Sequence, residues 1–83
     1  MAHMNATILE VREGKADDGS PAWWATIRLD EGGELQQRWE APTVVRLTAD
    51  AKASPVHFPG ARCRIEGASV VTGLVLNTPA PVA

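Results

Sequence analysis

"SPAWWATIRLDE", residues 20–31, sets two of the chain's three tryptophans side by side, in a sequence with one phenylalanine and no tyrosine. From Ala22 to Asp30 the stretch alternates. Trp23, Ala25, Ile27 and Leu29 fall on one side, and Trp24, Thr26, Arg28 and Asp30 on the other. A period of two is the pattern of a half-buried strand. The pleat therefore sends the two neighbouring indoles to opposite faces. Trp23, with Ile27 and Leu29, reads as core. Trp24 is left on the outer face beside Thr26 and Arg28.

Working outward, residues 13–21, "EGKADDGSP", carry glycine, aspartate and proline throughout and predict a turn. Before it, residues 5–12, "NATILEVR", predict a first strand. After the tryptophan strand, "EGG" at 31–33 predicts a hairpin loop, because glycine accepts the positive φ such loops need. Residues 34–41, "ELQQRWEA", predict a third strand with Leu35, Trp39 and Ala41 inward and Gln36, Arg38 and Glu40 outward. Pro42 is expected to end that strand or to lie on an edge. "TVVRL", 43–47, has a strand-like composition and reads as a strand or a lead-in. Thr48 is expected to cap a short helix of at most about two turns over "TADAKAS". "SPVHFPG" reads as a loop. Residues 61–67 predict a strand with Cys63 and Ile65 inward and Arg62, Arg64 and Glu66 outward. Residues 70–76, "VVTGLVL", predict the last strand, with Gly73 at a bulge or bend.

Residues 1–4 read as a cloning remnant and start methionine, 5–77 as one domain, and 78–83 as a flexible tail. No apolar run approaches the length of a membrane span. With one cysteine and no charged-then-apolar leader, a cytoplasmic setting is expected. The net charge is −2, which does not announce a polyanion partner, yet it is unevenly spread. Residues 1–34 hold an excess of acids. Residues 35–64 hold Arg38, Arg46, Lys52, Arg62 and Arg64 against Glu40 and Asp50. For an anionic partner the local field matters more than the total.

Catalytic and metal chemistry find little support. His57 has no His, Cys or carboxylate at ligand spacing, so no metal is expected, and it reads as loop packing beside Phe58 and Pro59. Cys63 reads as a small buried hydrophobe. Asp17 and Asp18 read as a solvated turn. There is no phosphate-cradling glycine loop and no nucleophile elbow. The expectation is a protein that is not an enzyme, with no cofactor and no small-molecule substrate.

What remains is a surface. Trp24, Thr26 and Arg28 should share one face with Gln36 and Arg38 across the hairpin. An indole that stacks bases beside guanidiniums that follow phosphates suits single-stranded nucleic acid. The same pair of residue types also anchors protein partners. Five short strands with a helix between the third and fourth predict an all-β fold, a small antiparallel barrel on the oligonucleotide-binding (OB) plan. Small barrels of other strand order are the rival, since order is not readable from one sequence.

The chain also resembles the single-stranded DNA-binding proteins of filamentous bacteriophages over roughly residues 5–77. The resemblance lies in "REGKADDGSPAWW", where Gly19, Ser20 and Pro21 match a Gly-x-Pro turn leading into the second strand. It lies also in "FPGARCRIEG", where Pro59 and Gly60 match a Pro-Gly turn opening a later one. The family's first turn continues Pro-Tyr, whereas here Ala22 follows Pro21 and the aromatics sit at Trp23 and Trp24. The resemblance implies an OB-fold homodimer that coats single-stranded DNA during phage replication in a bacterial cell. The expected function is thus noncatalytic binding of single-stranded DNA, with RNA an open alternative and little base specificity. Trp24 is expected to stack a base with help from Phe58, and Arg28 and Arg38 to contact phosphates. Arg12, Lys15, Arg46, Arg62 and Arg64 are the secondary contacts. The competing expectation is a phage- or plasmid-borne module that binds or inhibits another protein through the same Trp and Arg surface.

Overall fold

A computed structural model describes residues 3–67 and 70–76. Short runs of β-branched and aromatic residues between glycine turns form five strands: β1 His3–Lys15, β2 Pro21–Leu29, β3 Glu34–Glu40, β4 Arg62–Glu66 and β5 Val70–Val75. One helix, α1 Ala41–Ala51, lies between β3 and β4, followed by a 3-10 turn at Pro55–His57. The fold is mostly β, as the sequence predicts. The strands form one sheet in the order β3-β2-β1-β4-β5, with every pairing antiparallel. β3 and β5 are therefore the edges, and both run in the direction of β1.

β1 is longer than the sequence suggests. It starts at His3, inside the stretch that reads as a remnant, and continues through Gly14 and Lys15, which the sequence assigns to the turn. Its first residues, His3 to Thr7, pair with β4 (Met4 opposite Ile65, Ala6 opposite Cys63), and Ala6 to Lys15 pair with β2. The register shifts between Ile8 and Glu10, so Leu9 is an extra residue that bends the strand. A second shift lies between Arg62 and Arg64 of β4, where β5 passes through Gly73 at φ +62. This is the bulge expected at Gly73.

The helix corrects the expectation for residues 41–51. Pro42 does not end a strand or sit on an edge. It occupies the first turn of α1, where its missing N–H leaves no bond unmade. Residues 43–47 are helical, and Ala41 is an exposed helix residue, not part of the inward face of β3. Thr48 lies inside the helix, its Oγ1 donating to the carbonyl of Val45 at 2.9 Å. Lys52 ends it in a left-handed conformation, its N–H bonding back to the Thr48 carbonyl. The reason is packing: Val44, Leu47 and Ala51 fall on one helical face and rest on the core, which outweighs the β preference of two adjacent valines.

The core lies between the inner face of the sheet and α1. Ile8, Ile27, Leu47, Phe58, Ile65 and Leu74 are its largest fully buried side chains. Phe58 stands edge-on to Trp39, ring centroids 6.2 Å apart. The Pro59–Gly60 turn is bonded directly to β1: Gly60 N–H donates to the Ile8 carbonyl at 2.7 Å, and Ile8 N–H to the Ala61 carbonyl at 2.9 Å. Arg62 closes the neighbouring end of the sheet, with Nη1 2.7 Å from Thr7 Oγ1 and 2.7 Å from Asp30 Oδ1, and Nη2 on Asp30 Oδ2.

Phe58→Ala is expected to cost about 3–5 kcal/mol in urea unfolding, a large part of a small domain's stability. The Arg62 hydrogen bond holds the Asp30 carboxyl below its ordinary value of 3.8. Stabilisation from a lowered acid is present above that value and fades as the pH falls through the folded-state pKa. The difference in denaturation midpoint between the wild type and Asp30→Asn should therefore be full at pH 7 and close progressively below pH ~4.

Candidate nucleic-acid interface

The outer face of the sheet is ordered by strand register. Trp24 of β2 lies directly opposite Arg12 of β1 on one side and Arg38 of β3 on the other. Directly opposed side chains in a sheet are nearest neighbours, with Cβ atoms roughly 5 Å apart. The indole is thus flanked by two guanidiniums in one row across three strands. The next row is Glu10, Thr26 and Gln36, and the one beyond it is Thr7, Arg28 and Glu34.

Trp24 is half-buried, and what supports it is Gly14. A Cβ placed on Gly14 would come within 2.7 Å of Trp24 Cζ3 and 3.5 Å of Cε3 and Cη2. The six-membered ring therefore lies against the backbone of β1, in space that any other residue at 14 would fill. Trp23, on the opposite face, packs against the core opposite Trp39. The pleat separates the two indoles as the alternation predicts.

The three arginines of this face each sit near a carboxylate. Arg12 Nε is 3.6 Å from Glu10, Arg28 Nη2 is 3.1 Å from Glu34, and Arg38 Nη2 is 3.7 Å from Glu40. All three pairs are solvent-exposed, and such pairs are worth little in water. Asp18, in the turn between β1 and β2, accepts from Ser20 N–H at 3.0 Å and from Ser20 Oγ at 2.6 Å. These bonds, with a smaller contribution from the charge of Arg38, hold its carboxyl below the usual range.

Of the other expected contact residues, Arg62 and Arg64 project outward from β4, Arg62 opposite Thr7, while Phe58, Arg46 and Lys15 lie elsewhere. Phe58, expected to help stack a base, is fully buried in the core and presents no ring to a ligand. Arg62 is engaged by Asp30 and Thr7. Arg46, on α1, donates from Nη2 to the Val71 carbonyl at 2.8 Å and approaches Asp50 at 3.7 Å. Arg64 lies over Gly73, its Nε and Nη2 3.3 Å from where a Cβ would stand. Lys15 is exposed at the end of β1. Trp24, Arg12, Arg38 and Arg28 share the face of β1, β2 and β3, and Arg62 extends the Thr7–Arg28 row onto β4. Gly14 was missed, because its role depends on the β1–β2 register beyond the Leu9 bulge.

Cys63 is buried, and burial pushes its thiol up to about 11, which makes it unreactive at neutral pH. Among the described residues no three His, Cys, Asp or Glu side chains group as a metal cluster would. No helix among them is long and apolar enough to cross a membrane. The chain matches no protein-family model, no curated protein and no solved structure.

Gly14→Ala should displace the Trp24 ring. Tryptophan emission is expected to move to longer wavelength and acrylamide quenching to rise. The same substitution in a Trp24→Phe background should leave the spectrum unchanged; a shift that persists there would place the effect elsewhere.

Proposed function

We propose that this protein binds single-stranded nucleic acid, without catalysis and with little base preference, on the outer face of β1, β2 and β3. The observation that carries the reading is the row Arg12, Trp24, Arg38, with the indole seated on Gly14. An indole whose Cζ3 edge rests against Gly14 is held in place, so stacking a base on it takes little further ordering. Guanidiniums on both sides sit where the phosphates flanking that base would pass. Thr26 and Gln36 add neutral polar groups in the next row.

The architecture we propose is an OB-type barrel. The order β3-β2-β1-β4-β5, the position of α1 between β3 and β4, and two edge strands running the same way all support it. α1 packs against both β5 and β3, across the space between the two edges. In OB folds the face built on strands 2 and 3 is the one that takes oligonucleotides, and Trp24 and Arg38 lie there. The homodimer and the phage replication setting rest on the resemblance to the phage proteins alone.

A second reading is favoured by the carboxylates. Each arginine of the face has an acidic neighbour, and a neutral mosaic around a tryptophan also suits a protein partner. Salt separates the two readings. Binding to a single strand should weaken with salt with a log–log slope near −0.7 per phosphate contacted. A protein interface centred on the indole should respond much less.

Titration of an oligothymidine, followed by tryptophan fluorescence, is expected to quench emission. Trp24→Ala should cost about 1–3 kcal/mol, a loss of roughly 5- to 150-fold in affinity. Arg38→Gln should make the salt slope shallower by about 0.7. Binding that is indifferent to both salt and Trp24→Ala would overturn the reading.

A further inference from the structure

The two edges of the sheet are separated by a pocket of about 370 Å3, lined by β3, α1 and β5. This lies at the small end of the range for ligand sites, roughly 300–1,000 Å3. We propose that this seam is a second subsite, which takes a phosphorylated nucleotide unit through Arg38 and Arg46.

The lining argues for an anion. Arg38 from β3 and Arg46 from α1 both border the pocket, and no carboxylate is among its described lining residues. Each arginine has an acid beside it that is not among the described lining residues: Glu40 is 3.7 Å from Arg38, and Asp50 is 3.7 Å from Arg46. Both pairs are partly exposed and weak, so an incoming phosphate can compete for the guanidiniums. Arg46 is also positioned in advance. Its bond to the Val71 carbonyl at 2.8 Å ties it to β5 and fixes it at the wall of the seam. Gln36 and Thr43 supply a neutral amide and a hydroxyl, groups that can hydrogen-bond a sugar or a base edge. An uncharged apolar ligand would leave these polar groups unpaired.

The seam is continuous with the outer face through one residue. Arg38 stands opposite Trp24 and also lines the pocket. A strand stacked on Trp24, with its phosphate on Arg38, would pass over the edge of β3 and reach Arg46 next. This order along a strand rests on the proposed function. The anion chemistry of the pocket does not.

The test uses the full chain. In 15N-labelled protein, thymidine monophosphate is expected to shift the amide signals of Thr43, Arg46 and Val71. Thymidine without phosphate should not. Thr43→Glu places a carboxylate in the pocket, at a first-turn helix position where an acid is tolerated. It should remove the response to the monophosphate and weaken a long oligothymidine about tenfold, while a dinucleotide that reaches only Trp24 binds unchanged. An unchanged urea midpoint and unshifted amide signals away from the seam in Thr43→Glu guard against a loss of fold.

Absence of shifts at these amides would overturn the proposal. So would equal shifts from inorganic phosphate alone, since the nucleoside would then contribute nothing. If a long oligothymidine binds equally well to Thr43→Glu, the seam subsite falls and the Trp24 reading stands. If the monophosphate fills the seam in a protein that ignores oligothymidine, the subsite stands and the strand reading falls.

Discussion

β1 is paired along both of its edges, to β4 from His3 to Thr7 and to β2 from Ala6 to Lys15, and the rest of the sheet follows from that double pairing. A straight strand cannot serve two partners that diverge. The extra residue at Leu9 bends β1 where β4 gives way to the Pro59–Gly60 turn, and the backbone bonds between Ile8, Gly60 and Ala61 carry the ladder around the bend. Beyond the bulge the register is reset. That reset sets Arg12 opposite Trp24 and brings Gly14 against the Cζ3 edge of the indole. One unpaired residue thus determines what the outer surface presents over the second half of the same strand.

The outer face balances two tendencies. Its arginines are arranged around an aromatic platform, which favours a polyanion with bases to stack. Its glutamates sit beside each arginine, which lowers the field a polyanion would feel. In water the exposed pairs are weak, and a phosphate backbone that releases counterions can displace them. The binding proposed for this face would be steep in salt. The same mosaic keeps the free protein from carrying a large unbalanced charge, consistent with a net charge of −2.

Not every cation serves a surface. Arg62 joins β4 to Thr7 of β1 and to Asp30 at the end of β2, and Arg46 joins α1 to β5. Both lock elements that are distant in sequence. Arginine suits this because its planar fork bonds two acceptors in fixed geometry. Arg46 combines this structural bond with a position at the wall of the seam, so one guanidinium can tie the helix to the sheet and still offer its remaining N–H groups.

The sequence alone determined the strands, the separation of Trp23 from Trp24, the inward placement of Leu35, Trp39, Cys63 and Ile65, and the bulge at Gly73. These depend on the two-residue period of the pleat and on glycine turns, which act locally. It misread residues 41–47, because adjacent valines prefer strands, and only packing of Val44 and Leu47 against the core makes a helix the better solution. It misassigned Phe58, since a lone aromatic in a proline-flanked loop carries no period from which to tell inside from outside. Tertiary structure alone decided which residues meet: Arg12 with Trp24, Gly14 at the edge of the ring, Arg38 and Arg46 across the seam. Cross-strand register and the approach of two sheet edges are set by contacts between distant segments, and no local pattern encodes them.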